Sequence, residues 1–149
     1  QYAKPDNLYN SPNNLFVASF IGNPPMNFVQ GTLVKDGSSF LCKTVDGTLA
    51  LPSTIMDLGS LNSDEVVLGI RPHTFDLVDE MENALALGTH YIEHLGKENL
   101  YKCNLGDTSV RVITPASVVR PLDERLYVRP RLDAICIFDK KTHKLISKR

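Results

Sequence analysis

Thr32-Leu33-Val34-Lys35-Asp36-Gly37-Ser38-Ser39-Phe40-Leu41-Cys42-Lys43-Thr44-Val45-Asp46-Gly47-Thr48-Leu49-Ala50-Leu51 is the stretch that decides the fold class. Two Asp-Gly pairs separate short runs in which apolar and polar residues alternate. Asp-Gly takes the positive φ angles of a tight hairpin turn at low steric cost, so it is a strong local hairpin signal between such runs. The stretch predicts a small antiparallel meander.

Downstream the same texture continues. Val66 to Arg71 is a short apolar run. Ala84 to His94 is a longer strand candidate, although Ala84 to Leu87 is equally compatible with helix by propensity. Tyr101, Cys103 and Leu105 alternate with Lys102 and Asn104, and Gly106-Asp107 turns the chain into Val110–Ile113. Arg125–Val128, Ile135–Phe138 and Lys144–Ile146 complete the set, with a last turn at 139–142. Residues 52–65 form a connection with room for one helical turn near Asp57. Short strands at regular spacing predict a compact all-β barrel or sandwich.

Upstream, residues 5–22 carry the helical pattern. Pro5 and Pro12 suit first-turn positions, Leu15, Phe16, Phe20 and Ile21 fall on one stripe, and Gly22 with Pro24-Pro25 stops the segment.

Composition is that of an ordinary globular chain, 42% hydrophobic and 22% charged over 149 residues with a net charge of −1. Nothing in that balance calls for nucleic acid or a membrane. The charge is uneven, however. Residues 1–80 hold four Lys/Arg against nine Asp/Glu, whereas from Arg111 onward ten bases face four acids. Cys42, Cys103 and Cys136 have apolar neighbours and no metal-type spacing, and predict buried free thiols in a reducing compartment. Residues 1–30 show no signal-peptide pattern, and no apolar run approaches a bilayer span.

Catalytic motifs are not apparent. There is no GxxxxGK[ST], GxGxxG or GxSxG. His90 and His94 would share a helix face, but on a strand they lie about 13 Å apart, too far to share a metal. Asp76, Asp79, Glu80 and Glu82 lack the order of a calcium loop and predict a solvated acidic loop.

Three phrases are more specific. Pro5-Asp6-Asn7-Leu8-Tyr9-Asn10-Ser11-Pro12, then Asn14-Leu15-Phe16-Val17-Ala18-Ser19-Phe20-Ile21-Gly22 and Asn23-Pro24-Pro25-Met26-Asn27-Phe28, resembles the junction where the ATPase domain ends in ATP-binding subunits of sugar-importing ABC transporters. The maltose-type, multiple-sugar and glycerol-phosphate importers share it. Gly69-Ile70-Arg71-Pro72 resembles that family's Gly-Ile-Arg-Pro-Glu element, with His73 replacing its glutamate. Ile92-Glu93-His94-Leu95-Gly96 with Leu100-Tyr101 resembles its "Val-Glu-x-Leu-Gly…Tyr" strand, and Phe138-Asp139 its closing turn.

The resemblance implies a tail of the nucleotide-binding domain and a linker over 1–27. It implies a regulatory domain over 28–149, an OB-like barrel with a transport-associated β module. It implies a regulatory and dimerisation role, with no catalysis by this segment and no cofactor here; ATP and magnesium belong to the parent transport ATPase. Implied partners are a second copy, the ATPase domain of the parent chain, membrane permease subunits and a regulatory protein. Implied location is cytoplasmic, at the inner face of the cell membrane. Leu15, Phe16 and Phe20 are candidates for self-association. Arg71, Pro72, Glu93 and Gly96 occupy family motif positions without an assigned role. An alternative reading is an OB-like nucleic-acid-binding module, using the C-terminal bases with Tyr127 and Phe138 as stacking aromatics.

Overall fold

The computed structural model describes residues 14, 17, 24–122 and 124–147. The helix expected over 5–22, with Leu15, Phe16 and Phe20, lies outside the described residues except for Asn14 and Val17. The Asn14 side chain accepts the Val17 N–H at 3.0 Å, an N-cap-type contact, and Asn14 bridges Lys144.

From residue 24 on the fold is mainly β, and helix is confined to three single 3-10 turns, Ser53–Ile55, Leu58–Ser60 and Pro72–Thr74. Ten strands follow in chain order: β1 Asn27–Asp36, β2 Ser39–Lys43, β3 Gly47–Leu51, β4 Glu65–Ile70, β5 Phe75–Leu77, β6 Ala84–His94, β7 Glu98–Leu105, β8 Thr108–Pro115, β9 Leu126–Pro130 and β10 Cys136–Asp139. They form one curled antiparallel sheet in the order β10-β4-β1-β2-β3-β6-β7-β8, with β9 alongside β6 and β5 alongside β9.

The quoted meander folds as expected. β1 pairs with β2, Asp36 opposite Ser39, across a turn led by Gly37 at φ +64°; β2 pairs with β3 beyond Asp46-Gly47. In β1, Asn27, Val29, Gly31 and Leu33 are buried and the residues between them are not, as one wet face requires. The segment Ala84–Leu87 is strand, not helix. β9 hydrogen-bonds one side of Leu85–Leu87 and β3 reaches Ala84 and Leu85, so tertiary pairing overrides alanine's local preference. Near Asp57 the helical turn is 3-10, capped by the Asp57 side chain, which accepts the Gly59 N–H at 3.2 Å and the Ser60 hydroxyl at 2.8 Å.

β6 is the spine. Its first half lies between β3 and β9, and its second half, from Gly88 on, pairs with β7. A bulge falls at His90, between Thr89 and Tyr91, and turns the strand from one region of sheet into the other. The two regions of sheet therefore share a strand and a core. Val29, Leu33, Leu49, Leu68 and Leu85 pack in one cluster with Tyr101, Val110 and Val112. Each fully buried side chain of this kind contributes about 1.5–3 kcal/mol.

β4 is buried on both faces. Its outer face meets a second cluster of Met26, Cys136 and Phe138, with Phe28 and Phe138 edge to face at 6.4 Å between centroids. The seam between β1 and β8 has no ladder. There the Asn27 side chain replaces a strand: its amide donates to the Arg111 carbonyl and its oxygen accepts the Arg111 N–H, both at 2.8 Å. The C-terminal turn is pinned by buried Asp139. Its carboxylate accepts main-chain N–H groups of Asn62 at 2.6 Å, Lys141 at 2.8 Å and Thr142 at 3.0 Å.

Candidate functional site

The three cysteines are buried free thiols. Burial pushes the Cys42 thiol up to about 12 and the Cys103 thiol up to about 11, so neither supplies a thiolate near neutral pH. His90 and His94 lie on β6 as a strand, and among the described residues no group of three or more His, Cys, Asp or Glu side chains gathers to hold a metal. His94 is held through its Nδ1, 2.8 Å from the Asn99 oxygen.

The charge asymmetry of the sequence resolves in three dimensions. Acids of the first half meet bases of the second: Asp46 with Arg125, Asp79 with Arg120 at 3.6 Å, Glu80 with Arg129 at 3.2 Å and Glu65 with Lys140 at 3.7 Å. The acidic loop is solvent-exposed, as the sequence suggested, and two of its acids also reach a base. The Arg129 guanidinium also donates to the Asn83 and Glu82 carbonyls, at 2.7 and 3.1 Å, and fastens that loop to β9. Phe138 is fully buried and Tyr127 half-buried. The ring of Phe138 is thus not exposed for stacking, and four of the C-terminal bases are engaged by acids.

Two adjoining open clefts, of about 700 and 620 Å³, share His73, Ile113, Thr114 and Pro115. β5 forms one wall of the first cleft, and the end of β8 with the following loop forms the other. The loop is held from beneath. The Val118 carbonyl accepts from Asn99, Tyr101 and Thr114 side chains, each at 3.2 Å, and the Arg120 N–H donates to the Tyr101 hydroxyl at 2.9 Å. Asn99, Tyr101 and Thr114 are buried, so the wall is preformed.

Three of the four family motif positions frame these clefts. Arg71 and Pro72 are buried and launch the turn that carries His73, with the Arg71 carbonyl accepting the Thr74 N–H at 3.0 Å and its hydroxyl at 2.8 Å. Gly96 leads the two-residue turn between β6 and β7, flanked by the cleft residues Leu95 and Lys97, at the φ of +86° that a II′-type hairpin gives to glycine. Glu93 stands apart, exposed, pairing across strands with Lys102 at 3.4 Å. His73, in place of the family's glutamate, faces Glu98 at 3.5 Å. Sequence reasoning missed Asn99, Thr114 and the cleft itself. Isolated polar residues in strands carry no pattern, and only the topology brings β5 to β8.

Residues 22–75 match the MalK OB fold domain.

Nearly the whole chain is similar to transport ATP-binding proteins. The sulfoquinovosyl glycerol transport ATP-binding protein SmoE of Agrobacterium fabrum is 29% identical over 98% of this chain and 40% of its own length. The trehalose/maltose import ATP-binding protein MalK of Thermococcus litoralis is 36% identical over 98% of this chain and 41% of its own length. The sn-glycerol-3-phosphate import ATP-binding protein UgpC of Escherichia coli O157:H7 is 32% identical over 95% of this chain and 39% of its own length. The chain thus spans about two fifths of these importer subunits and corresponds to their C-terminal part. The matched OB segment ends at Phe75, at the start of β5, so the MalK OB fold proper supplies β1–β4 of the curled sheet.

Proposed function

We propose that this domain keeps two ATP-binding subunits of a sugar-class ABC importer paired while their motor domains cycle, and offers regulators a surface on which to act. The observation that carries the reading is the similarity, over 98% of the chain, to a trehalose/maltose import ATP-binding protein. The fold suits such a role, because a rigid β scaffold whose polar groups are spent on pinning loops acts through its surface. In this reading ATP and magnesium bind elsewhere in the parent transport ATPase. The parent brings the domain to the permease subunits at the cytoplasmic face of the membrane.

Self-association has two routes. One is the regulatory-domain surface. The other is the apolar stripe of Leu15, Phe16 and Phe20. Sedimentation velocity over a concentration series tests both, on the chain and on a form lacking residues 1–22. A reversible dimer that survives the deletion supports pairing through the β scaffold; one lost with the deletion assigns it to the stripe. A strict monomer in both, at high micromolar concentration, overturns the pairing role.

A further inference from the structure

β5 has one partner, β9, and its other edge is open among the described residues. The bonds from the Val78 N–H to the Tyr127 carbonyl and from the Arg131 N–H to the Thr74 carbonyl, both 2.9 Å, fix the parity of the ladder. By that parity the main-chain N–H and C=O of Phe75 and Leu77 point away from β9. Phe75, Asp76 and Leu77 line the larger cleft as three consecutive residues. A cleft over a strand's face touches alternate residues, so this one runs along the edge. Across it, Arg111 spends its outward main-chain groups on Asn27, and two residues on those of Ile113 face outward with the same parity.

Such an edge is a template for a further strand. No proline, lysine or bulge lies within Phe75–Leu77; what limits this edge is its three-residue length and the exposed carboxylate of Asp76. The far wall is preformed by the buried Asn99 and Tyr101 side chains, which donate to the Val118 carbonyl. Among the described residues the rim charges without an ion-pair partner are Arg131 and Lys97 against the single carboxylate of Asp76. The Arg131 guanidinium donates to the His73 carbonyl at 3.1 Å, with no carboxylate against it among the described residues, and Lys97 lines the adjoining cleft likewise. Glu98 is opposed by His73, and Arg120 by Asp79.

We infer that this groove binds an extended, acidic peptide segment of a partner protein by strand addition to β5. The peptide's main chain pairs with Phe75 and Leu77, alternate apolar side chains rest on Leu77 and Val118, and a carboxylate meets Arg131. The main chain supplies the affinity and the side-chain positions the selectivity, as in other sheets extended by a peptide. The inference does not depend on the pairing role proposed above.

The test uses the chain itself, isotope-labelled, titrated with the synthetic peptide acetyl-VEVEV-amide and with its lysine counterpart acetyl-VKVKV-amide. The expected result is saturable binding of the acidic peptide, with amide shifts at Phe75, Leu77, Ile113 and the 117–120 loop. The lysine peptide should bind at least about tenfold more weakly. Arg131→Glu should reverse that order of preference. Leu77→Lys, which guards the edge, should abolish binding while the hydrogen-exchange protection of β6 stays unchanged. Equal binding of both peptides, shifts centred elsewhere, or no saturation at about millimolar peptide overturns the inference. So does an edge that pairs instead with a second copy of the chain, seen as the same amides shifting with protein concentration alone.

Discussion

Asn27 is the clasp of the barrel, and replacing it isolates the worth of a seam made without a ladder. The wild-type side chain is 6% exposed and makes two bonds of 2.8 Å to the Arg111 main chain. In Asn27→Ala both Arg111 groups lose their partner. A net hydrogen bond is worth about 0.5–1.5 kcal/mol, and a buried orphan costs about 1–3 kcal/mol. Arg111 is half-buried, so water recovers part of the loss. The expected destabilisation is about 2–3 kcal/mol. Asn27→Asp separates the two bonds. Its carboxylate still accepts the Arg111 N–H but sets an oxygen against the Arg111 carbonyl. Protonation restores a donor there, so the folded-state pKa of the introduced carboxyl rises above its unfolded value. A group raised in this way adds stability below the unfolded value and loses it as pH rises through the folded one. The variant should therefore lie close to wild type at pH 4 and fall below it by about 2–3 kcal/mol at pH 7, equivalent to about two pKa units. Urea unfolding followed by far-UV circular dichroism, against wild type at each pH, reads the difference. Hydrogen exchange at the Arg111 amide reads the seam directly: protected in wild type, retained in Asn27→Asp, lost in Asn27→Ala. Refutation would be a loss below about 0.5 kcal/mol in Asn27→Ala with Arg111 protection intact, showing that the seam closes without the clasp.

Three further outcomes are expected. At Asp139, burial raises the carboxyl pKa, but main-chain N–H groups of Asn62, Thr142, Lys141 and Ser63 outweigh it and hold the group below its usual value. Its contribution is thus present above the unfolded pKa and lost as pH falls through the folded one. Asp139→Ala should cost about 2–4 kcal/mol at pH 7, and the cost should shrink progressively as pH falls below the unfolded carboxyl value, measured by denaturant unfolding at each pH. Native Cys42 and Cys103 should resist a disulfide-exchange reagent at pH 8 and react at once in denaturant; rapid native labelling at either site would contradict their burial. Gly96→Ala meets no atom within 4 Å and should lose about 1–2 kcal/mol from backbone strain alone. Gly47→Ala, at φ +115° with its new Cβ against the Ala84 carbonyl, should lose more than about 3 kcal/mol; equal thermal shifts for the two would sink the distinction.

The strands were legible because their signal is local. Alternation in Thr32–Lys35 and Tyr101–Leu105, and Asp-Gly at the turns, follow from the period of two and from turn sterics. β5 was not legible: three residues between Pro72 and an acidic loop are too few to show a period. The sheet order was also hidden, since nothing local tells Val67 to pair with Phe138. The charge split misled for the same reason, because acids and bases far apart in sequence are opposed in space, as Asp46 and Arg125 are. Of the candidate site, the sequence offered Arg71, Pro72 and Gly96 through their motifs. The groove they frame arises only when β6 bends at His90 and brings β7 and β8 round to the turn at Pro72–Thr74.

The pairing of β4 with β10 also sets a timetable for synthesis. β1 to β4 leave the ribosome first and pair among themselves, yet the free edge of β4 receives its neighbour only when Cys136–Asp139 has been made. At about 5–20 residues per second the wait between Val67 and Phe138 is roughly 4–15 s. Throughout it, the outer face of β4 lacks the cover of Cys136 and Phe138. The nascent chain carries an unpaired edge beside an apolar patch for longer than most elementary folding steps take, and crowding of neighbouring nascent chains during that interval is where its production is most exposed to mispairing.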